Sequence, residues 1–352
     1  MKTGFGVFDH IERRGSAIDD LFEGRLKLLE AYDAAGFYGY HVAEHHATPL
    51  GMAPSPGLFL AAAAQRTKRI RLGPLVYLLP LYNPLRLATE ICMLDHLSNG
   101  RLDIGVGRGV SFFEVAYYGV SFMDSREMFE EALQAVVKGL RDDRLQHRGR
   151  YYRFDSVPME LKPKQRPNPP FWFGVTSPEN VSFAARHGMN MVGLGPIAMV
   201  KGMTDQYHAE LAQHRGGPTD LNAHVKEPIM GAIRHAYVAA DEREVDAIAA
   251  PAYKTYYDNI TKLWRDYRVL PAYGFTPDVK IATAGEGAIV GTASQVRDQV
   301  GKFFAGSGCN YLALSFAWGG LTQDQSMRSL ERFVTQVMPD FKEDSIGQAA
   351  AD

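Results

Sequence analysis

The sequence predicts an α/β chain of the (β/α)8 TIM barrel class, with insertions at the C-terminal face of the barrel. Three observations predict it. Short apolar runs of strand length alternate with amphipathic runs at helical spacing from the first residues onward. Roughly eight such strand–helix units follow one another, the count of a closed barrel. Nothing in composition marks a domain boundary along the 352 residues, so residues 1–340 are expected to form one barrel domain and 341–352 a loose tail.

Taken in order, "GFGVF" (4–8) predicts the first strand. Residues 18–35 carry Leu21, Leu28, Leu29 and Tyr32 at helical spacing and end at Gly36, a C-cap residue. "YGYHVA" (38–43) alternates as a second strand, and a Pro/Gly-rich loop (49–57) leads into the helix "GLFLAAAAQR". "RLGPLVYLL" (71–79) predicts a third strand, followed by a helix over 83–98 with proline at its start. "RLDIGVG" (101–107) is the fourth strand, and "SREMFEEALQAVVKGL" (125–140) a helix with a serine cap. "PPFWFGV" (169–175), the capped helix of 177–188 and the strand "MNMVGLG" come next. "IMGAIRHAYVA" (229–239) and "CNYLALSF" (309–316) are strands followed by helical patterns. Two segments depart from this rhythm. Residues 143–169 form an Arg-, Tyr- and Pro-rich excursion, and 240–285 hold an aromatic insertion that suits either a wall of the barrel mouth or a subunit interface.

Composition excludes several classes. Hydrophobic residues make up 46% and charged residues 22%, enough apolar surface for a sizeable core. The net charge of −2, without a block of like charge, argues against nucleic acid or an anionic membrane as the main partner. Cys92 and Cys309, the two cysteines, lack zinc-site spacing and suit small core positions. "MKTGFGVF" has no apolar signal region, and no apolar run has the length of a membrane span, so a cytoplasmic protein is expected.

In a barrel, chemistry sits where strands end. "HVAEHH" (41–46) lies at such a point. Alternation puts His41, Ala43 and His45 on one face and Val42, Glu44 and His46 on the other, so both imidazoles cannot face the mouth while the strand stays regular. Neither helical nor strand metal-ligand spacing is present, and no metal is expected. "DIGVGRGVS" (103–111) lacks the spacing of a dinucleotide fingerprint, but its glycines permit close approach of a ligand, and Arg108 offers a fork to a phosphate. "FGVTSPENVSF" (173–183) puts Thr176 or Ser177 at a helix N-terminus, where orphan N–H groups suit an anion. Phe112, Phe113, Tyr117 and Tyr118, in the loop after Arg108, are expected to line an apolar mouth.

Together these stretches resemble the bacterial luciferase-like flavin-dependent monooxygenases. The matching segments are "GFYGYHVAEHHATPLG", "LGPLVYLLPLYNPLRLATEICMLDHLSNGRLDIGVGRG", "MDSREMF", "FGVTSPENVSFAARHG" and "VGTASQVRDQVGKFFAGSGCNYLALSF", in the family's order. They cover nearly the whole chain outside 200–285. The resemblance implies an oxidoreductase barrel, usually a homodimer, that takes reduced FMN from a separate NAD(P)H:flavin reductase. With O2 it would oxygenate a small organic substrate through a C4a-(hydro)peroxyflavin. By the same resemblance His45 is the catalytic residue at the flavin's reactive edge, Glu44 lies beside the flavin, and His46 is a supporting neighbour. Arg108, Arg126, Thr176, Ser177 and Asn180 match positions that hold the FMN phosphate. Leu75 and Val76 match a pair whose backbone, often through a non-proline cis peptide, supports the isoalloxazine ring. Two departures stand out: Gly107 occupies the place of the luciferase-type reactive cysteine, and Leu75 and Val76 replace smaller residues. The alternatives within reach of the same sequence are an F420-dependent hydride-transferring oxidoreductase and a non-catalytic flavin-binding protein.

Overall fold

The computed structural model describes residues 2–270, 274 and 276–341. Its strands are β1 (Gly4–Asp9), β2 (Gly39–Val42), β3 (Arg71–Pro74), β4 (Tyr77–Leu78), β5 (Ile104–Gly107), β6 (Arg144–Arg148), β7 (Arg153–Pro158), β8 (Phe171–Val175), β9 (Asn190–Gly193), β10 (Met230–Ala239), β11 (Ala288–Thr292) and β12 (Tyr311–Ser315). The parallel ladder runs β3-β2-β1-β12-β10-β9-β8-β5-β4. β3 and β4 share one barrel position, interrupted at Leu75–Val76, and a parallel bridge between Leu72 and Leu102 joins β3 to the approach of β5. The result is a nearly closed α/β barrel, as the alternation of elements predicts. β11 is an addition: β10 is long enough to pair β12 with its first half and β11 with its second.

Inside the barrel, Phe8, Ala43, Leu75, Trp172, Val192, Tyr311 and Ala313 pack as one apolar floor. His41 joins it, buried, with Nε2 2.9 Å from the Tyr311 hydroxyl. Burial pushes its pKa down to about 3, so it stays neutral. Outside, the larger core fills the space between strands and helices, including Leu28, Leu29 and Tyr32 of the helix Ile18–Ala35. Both cysteines are free and buried. No helix among the described residues is long and apolar enough to cross a membrane.

Several elements differ from the sequence reading in instructive ways. β2 ends at Val42, so Ala43–His46 lies beyond the strand and regular alternation stops before the triplet. Residues 112–117 are a helix, not a loop, capped by the Ser111 side chain on the Glu114 N–H. Ser125 does not cap the helix Ser125–Arg141; its hydroxyl donates to the Phe122 carbonyl, and Asp124 holds the cap position.

The 143–169 excursion contains the antiparallel hairpin β6–β7, which lies along the outer flank of the helix Ser125–Arg141 rather than at the mouth. The reason is directional. The chain leaves that helix at its C-terminus, at the far end from the strand tips, and the hairpin doubles back until the Glu131 carboxylate accepts the N–H groups of Arg150, Tyr151 and Tyr152. The second insertion does follow a strand tip. After β10 come helices Ala250–Ile260 and Lys262–Asp266, and Asn259 and Thr48 tie the first of them to the loops after β1 and β2. Of the predicted tail 341–352, Phe341 ends a short 3-10 helix (Met338–Phe341), and 342–352 lie outside the described residues.

Candidate active site

The strand register brings the first part of the site together. Ala43 N–H donates to the Asp9 carbonyl at 2.9 Å and Leu75 N–H to the Val42 carbonyl at 2.8 Å, so the tips of β1, β2 and β3 stand level. His10, the Glu44–His46 turn and the Leu75–Val76 peptide are therefore neighbours. That peptide is cis. Glycine permits two close approaches here. A Cβ at Gly51 would lie 2.4 Å from the His45 carbonyl oxygen, so the loop can fold directly over the His45 backbone. A Cβ at Gly107 would lie 2.5 Å from Val76 Cγ2, so β5 can press against the cis segment.

Within the turn, the two imidazoles have separate carboxylates. His46 Nε2 lies 2.8 Å from Glu44 Oε1, and its Nδ1 lies 2.7 Å from the Tyr118 hydroxyl. Both of its nitrogens are occupied by protein. Glu44, 4% exposed, also accepts the Leu78 N–H and the Tyr82 hydroxyl, each at 3.0 Å. Its contacts are thus with protein, and they brace the turn against the segment after the cis peptide.

His45 points the other way. Its Nδ1 lies 3.2 and 3.3 Å from the two carboxylate oxygens of Glu114, and its Nε2 has no hydrogen-bond partner among the described residues. Burial alone would lower its pKa, but Glu114, assisted by Glu44, raises it above the ordinary 6.5. Glu114 shows the counterpart: burial opposes ionisation, yet His45 and the His46 N–H hold its carboxyl below the ordinary 4.5. His10, whose ring centre is 5.5 Å from that of His45, is driven well below 6.5 by burial and then by the charges of His45 and His235.

The second part of the site lies where β5 and β8 end. Val106 pairs with Phe173, so continuing the ladder sets Arg108 level with Val175, beside Thr176 and Ser177. Ser177 caps the helix Pro178–Arg186 by accepting the Asn180 N–H. Asn180 Nδ2 reaches the Thr176 hydroxyl at 3.5 Å. The helix Ser125–Arg141 packs alongside through Phe129, whose ring lies 5.8 Å from Phe173 and 5.6 Å from Phe183. Its first turn carries Arg126, exposed and 3.4 Å from Glu130. Arg108 rests over the Phe122 ring at 4.7 Å. The five predicted phosphate residues thus fall on one rim, built from two strand tips and two helix N-termini.

An aromatic wall stands beside the turn. Phe113 stacks on Tyr267 at 4.4 Å, meets Trp264 edge-on at 6.0 Å, and Tyr117 and Tyr267 share a hydroxyl contact of 2.9 Å. The 240–285 insertion is here packed against the mouth. Glu114, on the same helix as Phe113, is absent from the candidates that sequence offers. Ser111-x-x-Glu114 matches a capping box, and that pattern accounts for the glutamate without any chemistry. His10 was likewise hidden, one residue past a strand and without a motif. Among the described residues, no group of three or more His, Cys, Asp or Glu is arranged to hold a metal.

The family model for luciferase-like monooxygenases matches residues 3–310. The chain belongs to that family. Among its relatives, an uncharacterized protein of Sinorhizobium fredii is 37% identical over 96% of this chain and 97% of its own. The oxygenase component of a flavin-dependent trigonelline monooxygenase from Acinetobacter baylyi is 28% identical, covering 99% of this chain and 98% of its own. Among solved structures, the monooxygenase RslO1 from Streptomyces bottropensis superposes with a TM-score of 0.84 at 26% identity, over 97% of this chain and 100% of that one.

Proposed function

We propose that this chain is the oxygenase of a two-component flavin monooxygenase, using reduced FMN and O2 to oxygenate a small organic substrate. The observation that carries the reading is the pairing, on one barrel face, of a half-free imidazole with a rim of phosphate-binding chemistry. The donor set fits FMN. Arg108, Arg126, the Thr176 and Ser177 hydroxyls, Asn180 and the N-terminus of the helix Pro178–Arg186 offer two cations and several donors to a phosphate dianion. The apolar floor with Leu75 and Val76 suits the flat face of a ring system.

Reduced FMN, when bound, supplies the electrons that activate O2 for transfer of one oxygen atom. The chain's residues do the rest. Arg108 and the helix N-terminus hold the phosphate, and Leu75–Val76 orients the ring. Phe113, Trp264 and Tyr267 wall the mouth and would keep water from a bound flavin. His45, braced at Nδ1, exchanges a proton through Nε2. His46 is unsuited to that task because Glu44 and Tyr118 occupy both its nitrogens.

The trigonelline relative is by name an oxygenase component, which supports a separate NAD(P)H:flavin reductase as the source of reduced flavin. We also propose a homodimer, because the helices Pro56–Arg66 and Pro84–Leu97 leave Leu58, Met93 and Leu97 exposed.

The deciding experiment titrates the protein with FMN and with F420, then couples it to an NADH:flavin reductase under air. The reading expects FMN to bind more tightly and O2 consumption to depend on the chain. His45→Ala should lower that activity by about 10²- to 10⁴-fold, the range for loss of a proton-transfer group. Preference for F420, or full activity in His45→Ala, overturns it.

A further inference from the structure

The two adjacent histidines differ in how they are held, and the group responsible is a residue that no sequence motif marks. Glu114 reaches the turn from the helix Phe112–Tyr117, nearly 70 residues along the chain. It is 3% exposed, so its charge has little water to lean on. One oxygen accepts the His46 backbone N–H at 2.7 Å, and the pair straddles His45 Nδ1 at 3.2 and 3.3 Å. A carboxylate placed so fixes the imidazole in two ways at once. The bond to the His46 N–H locks the carboxylate to the turn's backbone, and the bond to Nδ1 locks the ring to the carboxylate.

We propose that Glu114 is a positioning residue for His45: it accepts the Nδ1–H, so that Nε2 is the nitrogen left for a bound molecule. The proposal rests on the reading of His45 as the proton-transfer group.

An imidazole with Nδ1–H bonded to a carboxylate carries its lone pair on Nε2, the form that accepts a proton there. The negative charge also stabilises the imidazolium once the proton has arrived. The surrounding groups leave Glu114 as the main partner. Glu44 faces His45 as well but is spent on His46, Tyr82 and the Leu78 N–H. His10, on the tip of β1, is held neutral by burial, and His235 on β10 stands behind it and is lowered to about 3 by the same cause. Tyr256 lies 6.0 Å from His10 with its hydroxyl pushed up by burial. Tyr118 engages His46 rather than His45.

The same helix also reaches the wall. Phe113 precedes Glu114 in the chain and stacks on Tyr267, while Tyr117, one turn on, bonds the Tyr267 hydroxyl. The wall of the mouth thus holds the helix that delivers the carboxylate.

The test reads His45 itself in the flavin-free protein, by NMR of histidine labelled with 13C and 15N, its signal assigned by its loss in His45→Gln. In the unsubstituted chain at high pH, the 15N shifts are expected to show the Nδ1–H tautomer. The Nε2–H tautomer overturns the proposal, and this measurement needs no variant. In Glu114→Gln the His45 titration should move to lower pH, and Glu114→Asp should restore part of the shift. A titration unchanged in Glu114→Gln also overturns it, whatever the oxygenase assay does. In reductase-coupled turnover, Glu114→Gln should lower O2 consumption by about 10- to 100-fold and move the acidic limb of the pH profile with the NMR titration. The reading of His45 fails separately, if His45→Gln keeps full flavin-dependent O2 consumption while the NMR results stand.

Discussion

The turn after β2 and the rim at the ends of β5 and β8 share one face of the barrel but are finished to different degrees. In the turn, the protein supplies the partners. Glu44 accepts three donors, His46 has both nitrogens engaged, and Glu114 joins side chain and backbone. On the rim, Arg108 has an aromatic ring beneath it, Arg126 has an exposed i,i+4 glutamate, and Asn180 meets Thr176 at 3.5 Å, the outer limit of a hydrogen bond. The difference teaches where each set finds its geometry. The turn is held by folding, and with it the proposed proton-transfer group, His45. The rim is left with donors to spare, which suits an anion that arrives later.

That contrast is open to breakage. Glu44→Ala should have the largest effect on stability, about 3–5 kcal/mol, because it strands buried donors from Leu78, Tyr82 and His46. Denaturant unfolding measures it, and a loss near zero would show that the turn is not held as argued. Arg108→Ala should act oppositely. Unfolding should change by at most about 0.5 kcal/mol, the scale of surface substitutions. FMN affinity should fall about 10- to 100-fold, equivalent to about 1.5–3 kcal/mol for a bond to a charged group. If instead Arg108→Ala unfolds the protein while binding is kept, the rim is a structural element and the comparison collapses.

Arg126→Ala sharpens the rim further. Its guanidinium is exposed and already pairs with Glu130. The affinity loss should therefore be only a few-fold, worth at most about 1 kcal/mol, and should fade as salt screens it. Fluorescence titration of FMN at low and high ionic strength separates it from Arg108.

How much of this could be read in advance follows from the same physics. The barrel was legible because period-two and helical patterns alternate along most of the chain, and neither depends on distant contacts. The proposed phosphate rim rests on local signals, since Gly-Arg-Gly and Thr-Ser-Pro mark close approach and helix capping, and the Ser177 cap is present. The turn was only half legible. Alternation separates His45 from His46 as long as the strand continues, but β2 ends at Val42 and Ala47 takes a φ of +56°, so partners rather than strand faces decide their directions. Those partners, Glu114 and Tyr118, come from a helix far along the chain. Glu114 stood unmarked in a stretch read as a loop, and Tyr118 was read as an aromatic of the mouth. The hairpin β6–β7 was obscure for a related reason: its alternation is mostly polar, burying Leu145 and His147 against a helix flank.

The smallest effect tests the turn from the side of pH. The folded state raises the His45 pKa above 6.5, so that group contributes stability that is full below 6.5 and is lost as pH rises through the folded value. It lowers the Glu114 pKa below 4.5, so that carboxylate contributes stability present above 4.5 and lost as pH falls through its folded value. Both contributions coexist between the two ordinary values. Glu114→Gln should therefore show its greatest pH-dependent destabilisation between pH 4.5 and 6.5 and recover part of it at higher pH, as His45 becomes neutral in both proteins. The pH-dependent part should be on the order of 1 kcal/mol, the scale of an ion pair with some access to water. Rim variants at Arg108 and Arg126 remove neither the imidazole nor the carboxylate of this pair, so they give no reason for such a profile. Unfolding curves across pH for Glu114→Gln and Arg108→Ala thus compare the two regions directly, and the same profile in both would remove the distinction between a turn set by folding and a rim set by its ligand.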